Sequence, residues 1–142
     1  METLSLDVAA RIVTEALAHA RQHGFRPMAI VLLDQAGQLK MVQREGGATA
    51  LRVDIAHGKA GAAFGMGVAS RTLLGRAIDN PVFFNAIGVA SAGKFVPQTG
   101  AVVITDASGA IVLGAIGASG GTGDEDEQIC VAGVRAAGLS FR

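Results

Sequence analysis

The chain has 142 residues, half of them hydrophobic and 17% charged, with twelve basic and twelve acidic side chains and a formal net charge of zero. A single domain, residues 1–142, can bury a real core at this length, and its scattered basic residues offer no face for nucleic acid. One cysteine excludes an internal disulfide and a cysteine-built metal cage.

No apolar run approaches the ~20 residues that span a bilayer, so no membrane partner is expected. Glu2, Asp7 and Glu15 stand where an export signal would be basic and then apolar, and the expected location is the cytoplasm. With no Trp or Tyr and six Phe, little is available for an aromatic box. So few charges on so apolar a chain point to a homo-oligomer.

In chain order, Ser5 can cap a helix with Asp7 in its first turn. Ala9, Ile12, Val13, Ala16, Leu17 and Ala20 then form a helical stripe that ends at Gly24. His19 and His23, four apart, have a spacing that can chelate a metal. A solvated pair suiting the helix's last turn is the simpler reading. Residues 28–33 and 38–43 read as a hairpin turned by DQAG, with Asp34 and Gly37 as turn chemistry. The same pattern returns in AVVITDASGAIVLG, so two similar hairpins can join one antiparallel sheet.

Between the hairpins, residues 49–64 read as a helix whose apolar face runs Val53, Ala56, Ala60, Ala63 and Phe64. Its glycines and alanines weaken it intrinsically but let another backbone approach closely. Asp54, His57 and Gly61 share another face, and Lys59 lies on a third. Residues 70–78 form a short helix stopped by Asp79-Asn80-Pro81, and residues 81–90 add a helical turn or two. Residues 91–100 read as loop with a brief extended piece.

Residues 102–138 then run strand, turn, strand, glycine-rich loop and acid-opened helix, the layout of a ligand cradle. Asp124, Glu125, Asp126 and Glu127 crowd the start of that helix, over residues 123–137. An entering phosphate would meet four carboxylates where it needs a positive helix end. The glycines also lack dinucleotide spacing, so Rossmann and P-loop readings are rejected.

LDVAARIVTEALAHARQHG, DIAHGKAGAAFGM and GAIGASGGTGDEDEQICVAGV together resemble the GlcG/HbpS family, related also to the PduO C-terminal domain. The likeness spans essentially the whole chain, and the third segment is the most specific. Two departures stand out: Gly100-Ala101-Val102-Val103-Ile104 lacks the family's proline, and FVPQTG keeps only part of the usual loop. Ligand choice can therefore differ from that of relatives.

The resemblance implies a profilin-like α/β (α+β) fold, an antiparallel sheet with helices packed on it, assembling from dimers to octamers. It implies a small-molecule ligand, haem or another tetrapyrrole among the candidates. Fold kinship alone does not choose the function.

The candidate ligand-binding residues are His57, Lys59, Arg71, Gly120 and Gly121. His57 is either a haem ligand, as a neutral imidazole can be, or a surface residue. Met66 is a second axial candidate or simple packing. Lys59 matches the family motif and would bind a carboxylate or act as acid or base; the plainer alternatives are a surface lysine or a subunit salt bridge. Asp126 and Glu127 would transfer protons or help hold a metal, or only complement the helix dipole. Arg71 and Arg76 can hold an anion or lie in solvent. Cys130 reads as a buried small hydrophobe. No dedicated metal site emerges. The function expected is small-molecule binding, with a cofactor-independent isomerase or lyase of small oxo- or hydroxy-acids, using Lys59 with Asp126 or Glu127, as the alternative.

Overall fold

A computed structural model describes residues 4–142; Glu2, weighed above against an export signal, lies outside the described residues. Helix α1 (Leu6–Gln22) starts at Ser5, whose hydroxyl accepts the Val8 N–H at 3.2 Å and satisfies a donor that a helix start leaves open. Ala9, Ile12, Val13, Ala16 and Ala20 are buried, as their spacing predicts.

Strands β1 (Ala29–Leu33) and β2 (Leu39–Arg44) form the first hairpin, and β3 (Ala101–Thr105) and β4 (Val112–Ser119) the second. Both are turned by an aspartate. Asp34 Oδ1 accepts the Ala36 and Gln38 N–H groups at 2.9 and 3.0 Å. Asp106 accepts from the Ile111 N–H at 3.1 Å and the Ser108 hydroxyl at 2.8 Å, bonds that hold its carboxyl below the usual range. Such local bonds are why Asp punctuates turns. The hairpins join where β1 pairs antiparallel with β4, Val31 opposite Gly117. A short β5 (Ser140–Phe141) adds to β3, completing the order β2-β1-β4-β3-β5.

Alternation along the strands sends side chains to two cores. Ile30, Leu32, Val102, Ile104 and Ile116 face α1 and α5 (Gly123–Ala136), meeting Ile12, Val13, Ile129 and Val134. Each large buried aliphatic there contributes roughly 1.5–3 kcal/mol. On the other face, Val31 and Leu33 meet Ala56 and Ala60 of α2 (Ala50–Met66), and Ala101 and Val103 meet Ala63. The result is an α+β sandwich with helices on both faces of an antiparallel sheet.

Helix α2 is rich in glycine and alanine, so its stability comes from packing rather than propensity. It lies so close to β4 that a Cβ on Gly117 would fall 2.5 Å from the Ala56 carbonyl oxygen and 2.9 Å from the Ala60 nitrogen.

Helix α3 (Ser70–Asp79) is followed at once by α4 (Pro81–Ala90). The expected turn or two is a full ten-residue helix, which Pro81 opens at a position where no N–H is needed. Phe84 is its buried anchor, packed with Ala62, Leu73 and Phe95. Ile78, Val82 and Val89 remain 70%, 81% and 83% exposed. Residues 91–100 carry no strand; they turn, and the Val96 N–H ties them to the Gly58 carbonyl at 2.9 Å. No helix among the described residues is long and apolar enough to cross a membrane.

Candidate functional site

Lys59 and Asp126 meet at the end of the sheet. From α2, the Lys59 ammonium donates to the Ala118 carbonyl at 3.1 Å and to Asp126 Oδ2 at 2.9 Å. Asp126 Oδ1 accepts the Gly121 N–H at 2.9 Å. The two residues are only 5% and 2% exposed. Lys59 is thus neither a surface lysine nor a partner in a subunit salt bridge; it is paired inside its own chain. Gly100 makes room for it, since a Cβ there would lie 2.7 Å from the ammonium. Burial pushes the Asp126 carboxyl above its ordinary value, and the Lys59 charge, their hydrogen bond and the Gly121 amide oppose that push. The pair is a strut that pins α2 to the start of α5.

The neighbouring acids of α5 divide their work. Thr122 and Glu125 close a capping box: the Thr122 hydroxyl accepts the Glu125 N–H at 3.2 Å, and Glu125 accepts the Thr122 N–H at 2.9 Å. Arg71 of α3 reaches over to Asp124 and, at 3.2 Å, to both oxygens of Glu127. Dipole complementation alone does not describe them, because only tertiary contact separates the buried Asp126 from the bridged Glu127.

Beside the strut lies a cleft of about 550 Å³, lined by Arg52, Ile55, Lys59, Arg71, Thr99, Gly121 and Asp126 among others. It brings together four of the residues singled out from the sequence: Lys59, Arg71, Gly121 and Asp126. Glu127 lines a different groove, and Gly120 packs its backbone against Pro27 and Met28. His57 stands apart in a groove of about 260 Å³ with Asp54, Gly58, Ala92, Gly93 and Lys94. Burial first, then the Lys94 charge, lowers its pKa against the pull of Asp54, which favours the neutral ring. Met66 lines a third groove with Arg76, Phe83 and Phe84, so it does not share a groove with His57. Cys130 is buried, its Sγ 3.6 Å from the Gly100 carbonyl, and burial together with Asp126 pushes its thiol pKa up.

A groove of about 520 Å³ runs between the end of α1, α5 and β5, lined by His19, Glu127, Gln128, Val131, Arg135 and Phe141 among others. The His19 and His23 rings stack at 4.0 Å, and His23 Nδ1–H donates to the His19 carbonyl at 2.9 Å. The Gln128 amide nitrogen lies 2.8 Å from His19 Nε2. That contact occupies His19 Nε2, which accepts when the amide nitrogen faces it. Partial burial, then His23, lowers the His19 pKa. His23 is solvated, as expected, but His19 is half-buried. Its place beside Ala16 and Ala20 was the one available hint; the docking of α5 against it was not visible in the sequence. No group of three or more His, Cys, Asp or Glu among the described residues could hold a metal ion by itself.

A family model described as "Haem degrading protein HbpS-like" matches residues 4–135. No curated protein matches the chain. Among solved structures, a PduOC:haem complex aligns with a TM-score of 0.86 at 22% identity, covering 99% of each chain. Protein ORFY of Klebsiella pneumoniae gives 0.86 at 18% identity, over 96% of this chain and 92% of its own. HbpS gives 0.80 at 23% identity, over 95% and 90%. At these identities the likeness is one of fold.

Proposed function

Because the chain belongs to the HbpS-like family, we propose that it binds haem or a closely related tetrapyrrole, with His19 as the side chain that faces the iron. The observation that carries this reading is a groove of about 520 Å³ lined by His19, whose Nε2 would be freed for the ligand when the Gln128 amide that now caps it at 2.8 Å turns aside. Ligand cavities typically run from roughly 300 to 1,000 Å³. The His19 groove falls within that span, and the His57 groove, at about 260 Å³, falls short of it. Size therefore favours His19 over His57, which is the better candidate only on sequence.

The other lining residues fit the same ligand. Val131, Ala132 and Phe141 supply apolar wall for a macrocycle. Arg135 lies over the Phe141 ring at 5.2 Å and has no ion pair among the described residues, so its guanidinium is free to meet a propionate. When bound, haem would bring the redox and oxygen chemistry of its iron, while His19 and Arg135 would hold it through a ring nitrogen and a carboxylate contact. The name of the solved PduOC:haem complex, which shares the fold, lends support. The isomerase or lyase alternative finds none: Lys59 is locked as a donor and Glu127 is held by Arg71.

Titration of hemin into the purified chain should give a saturable Soret shift that His19→Ala abolishes and His57→Ala preserves. A shift unchanged in His19→Ala, or no saturation with the parent chain, overturns the reading. The apolar side chains that α3 and α4 leave in solvent also support assembly of copies of the chain. A monomer mass by light scattering would refute that part.

A further inference from the structure

We propose that Gln128 is an internal competitor of the ligand in the His19 groove. Its amide must leave His19 Nε2 before a metal centre can take that nitrogen, so Gln128 lowers the groove's affinity for metal-centred tetrapyrroles in particular. The proposal rests on the haem reading and adds the residue that tunes it.

The contact spans two helices. Gln128, Val131, Ala132 and Arg135 recur at the spacing that puts residues on one face of α5, and all four line the groove of about 520 Å³. From that face the Gln128 amide reaches across to α1, where its nitrogen lies 2.8 Å from His19 Nε2. Whichever end of the amide faces the ring, Nε2 is taken: the amide N–H donates to its lone pair, or the amide oxygen holds its proton. A metal needs that lone pair free.

Of the two partners, the amide is the one that gives way. Gln128 is exposed, and the contact with His19 is the one side-chain hydrogen bond it makes among the described residues. It can turn aside without disturbing the core. Asp124, one turn earlier, lines the same groove, and a Gln and an Asp four apart on a helix can hydrogen-bond. His19 is half-buried, and its ring stacks on His23 at 4.0 Å. His23 is itself tied through Nδ1 to the His19 carbonyl at 2.9 Å.

The competition is specific to the metal. The apolar body and carboxylates of a macrocycle would meet Val131, Phe141 and Arg135, and none of those contacts asks for Nε2. A metal-free macrocycle can bind with the amide in place, whereas a metal centre gains its nitrogen only by breaking one neutral hydrogen bond.

The test is titration of hemin and of metal-free protoporphyrin IX into the parent chain and into Gln128→Ala. Hemin should bind the variant roughly two- to tenfold more tightly, the worth of one neutral hydrogen bond, and protoporphyrin IX should show no difference between the two proteins. Equal gains for both ligands would make Gln128 a steric obstacle, and no gain for hemin would make it no competitor; either result overturns the proposal. The cap is also read with no ligand present, by the rate at which diethyl pyrocarbonate modifies His19, followed by mass spectrometry of its peptide. That rate should rise in Gln128→Ala while the rate at His57 stays unchanged, and an unchanged His19 rate overturns the cap. Failure of hemin to bind either protein overturns the haem reading and with it the choice of ligand, and the His19 modification rate still decides the cap by itself.

Discussion

Replacing Lys59 with Met tests the strut at the end of the sheet. The change keeps most of the side chain's volume and removes its charge, stranding the Asp126 carboxylate with the Gly121 N–H as its remaining partner. The Lys59 and Asp126 side chains are 7% and 3% exposed, so the exposed-pair figure of about 0–1 kcal/mol does not apply. Removing one partner of a buried pair costs roughly 3–5 kcal/mol. Urea unfolding of Lys59→Met should show a loss of that order. Lys59→Met with Asp126→Leu strands no charge, so the double variant should be more stable than Lys59→Met alone. The deficit should also depend on pH. Burial holds the folded Asp126 carboxyl above its ordinary value, so the folded state keeps that proton more tightly than the unfolded state does. Stability from protonation is then fully present below the unfolded carboxyl's range and lost as pH rises through the folded one. Without the Lys59 charge the upward push is less opposed, so the deficit should be small in acid and grow toward neutrality. A loss under about 1 kcal/mol, or single-variant losses that simply add in the double variant, would refute the strut.

Gly117→Val should destabilise by about 3 kcal/mol or more, read by thermal unfolding, because β4 and α2 leave no space for a side chain. Gly75→Ala in α3, where an added Cβ meets nothing within 4 Å, should stabilise by roughly 0.5–1 kcal/mol. Thr122→Ala opens the capping box and should cost about 1 kcal/mol in the same assay. Cys130 should resist a thiol-directed disulfide reagent in the native protein and react stoichiometrically in denaturant, because its thiol is buried and its pKa is pushed up.

Local chemistry made much of this fold readable. Ser5, Asp34 and Asp106 bond their own neighbours, so their roles need no knowledge of the rest of the chain. The three-to-four spacing of Ile12, Val13 and Ala16 likewise declares a buried face. Helix α4 was under-read because Val82, Phe83 and Val89 are apolar yet exposed, which erases the amphipathic signal. Two-residue β5 is too short to carry any period. At the site, Lys59, Arg71, Gly121 and Asp126 line one cleft while His57, Gly120 and Glu127, expected from the sequence alongside them, lie elsewhere, and which acid turned inward was not legible. Asp126 and Glu127 are adjacent on one helix turn, and only the placement of α2 and α3 tells the buried partner from the bridged one. His19 was passed over for the same reason: the groove it faces exists only once α5 lies against α1.

The pairing of β1 with β4 sets a schedule for the growing chain. The strand that seats the first hairpin in the middle of the sheet finds its inner neighbour only when residues 112–119 have been made, and α1 finds α5 later still. Until then Ile30 and Leu32 have one strand beside them and no lid beyond α1. Closing so long a loop is slow, and the waiting edge of β1 is open to pairing with another chain. A nascent chain halted just before residue 112 should therefore remain protease-sensitive and prone to aggregation. A separately supplied piece carrying β3, β4 and α5 would be the natural complement to rescue it.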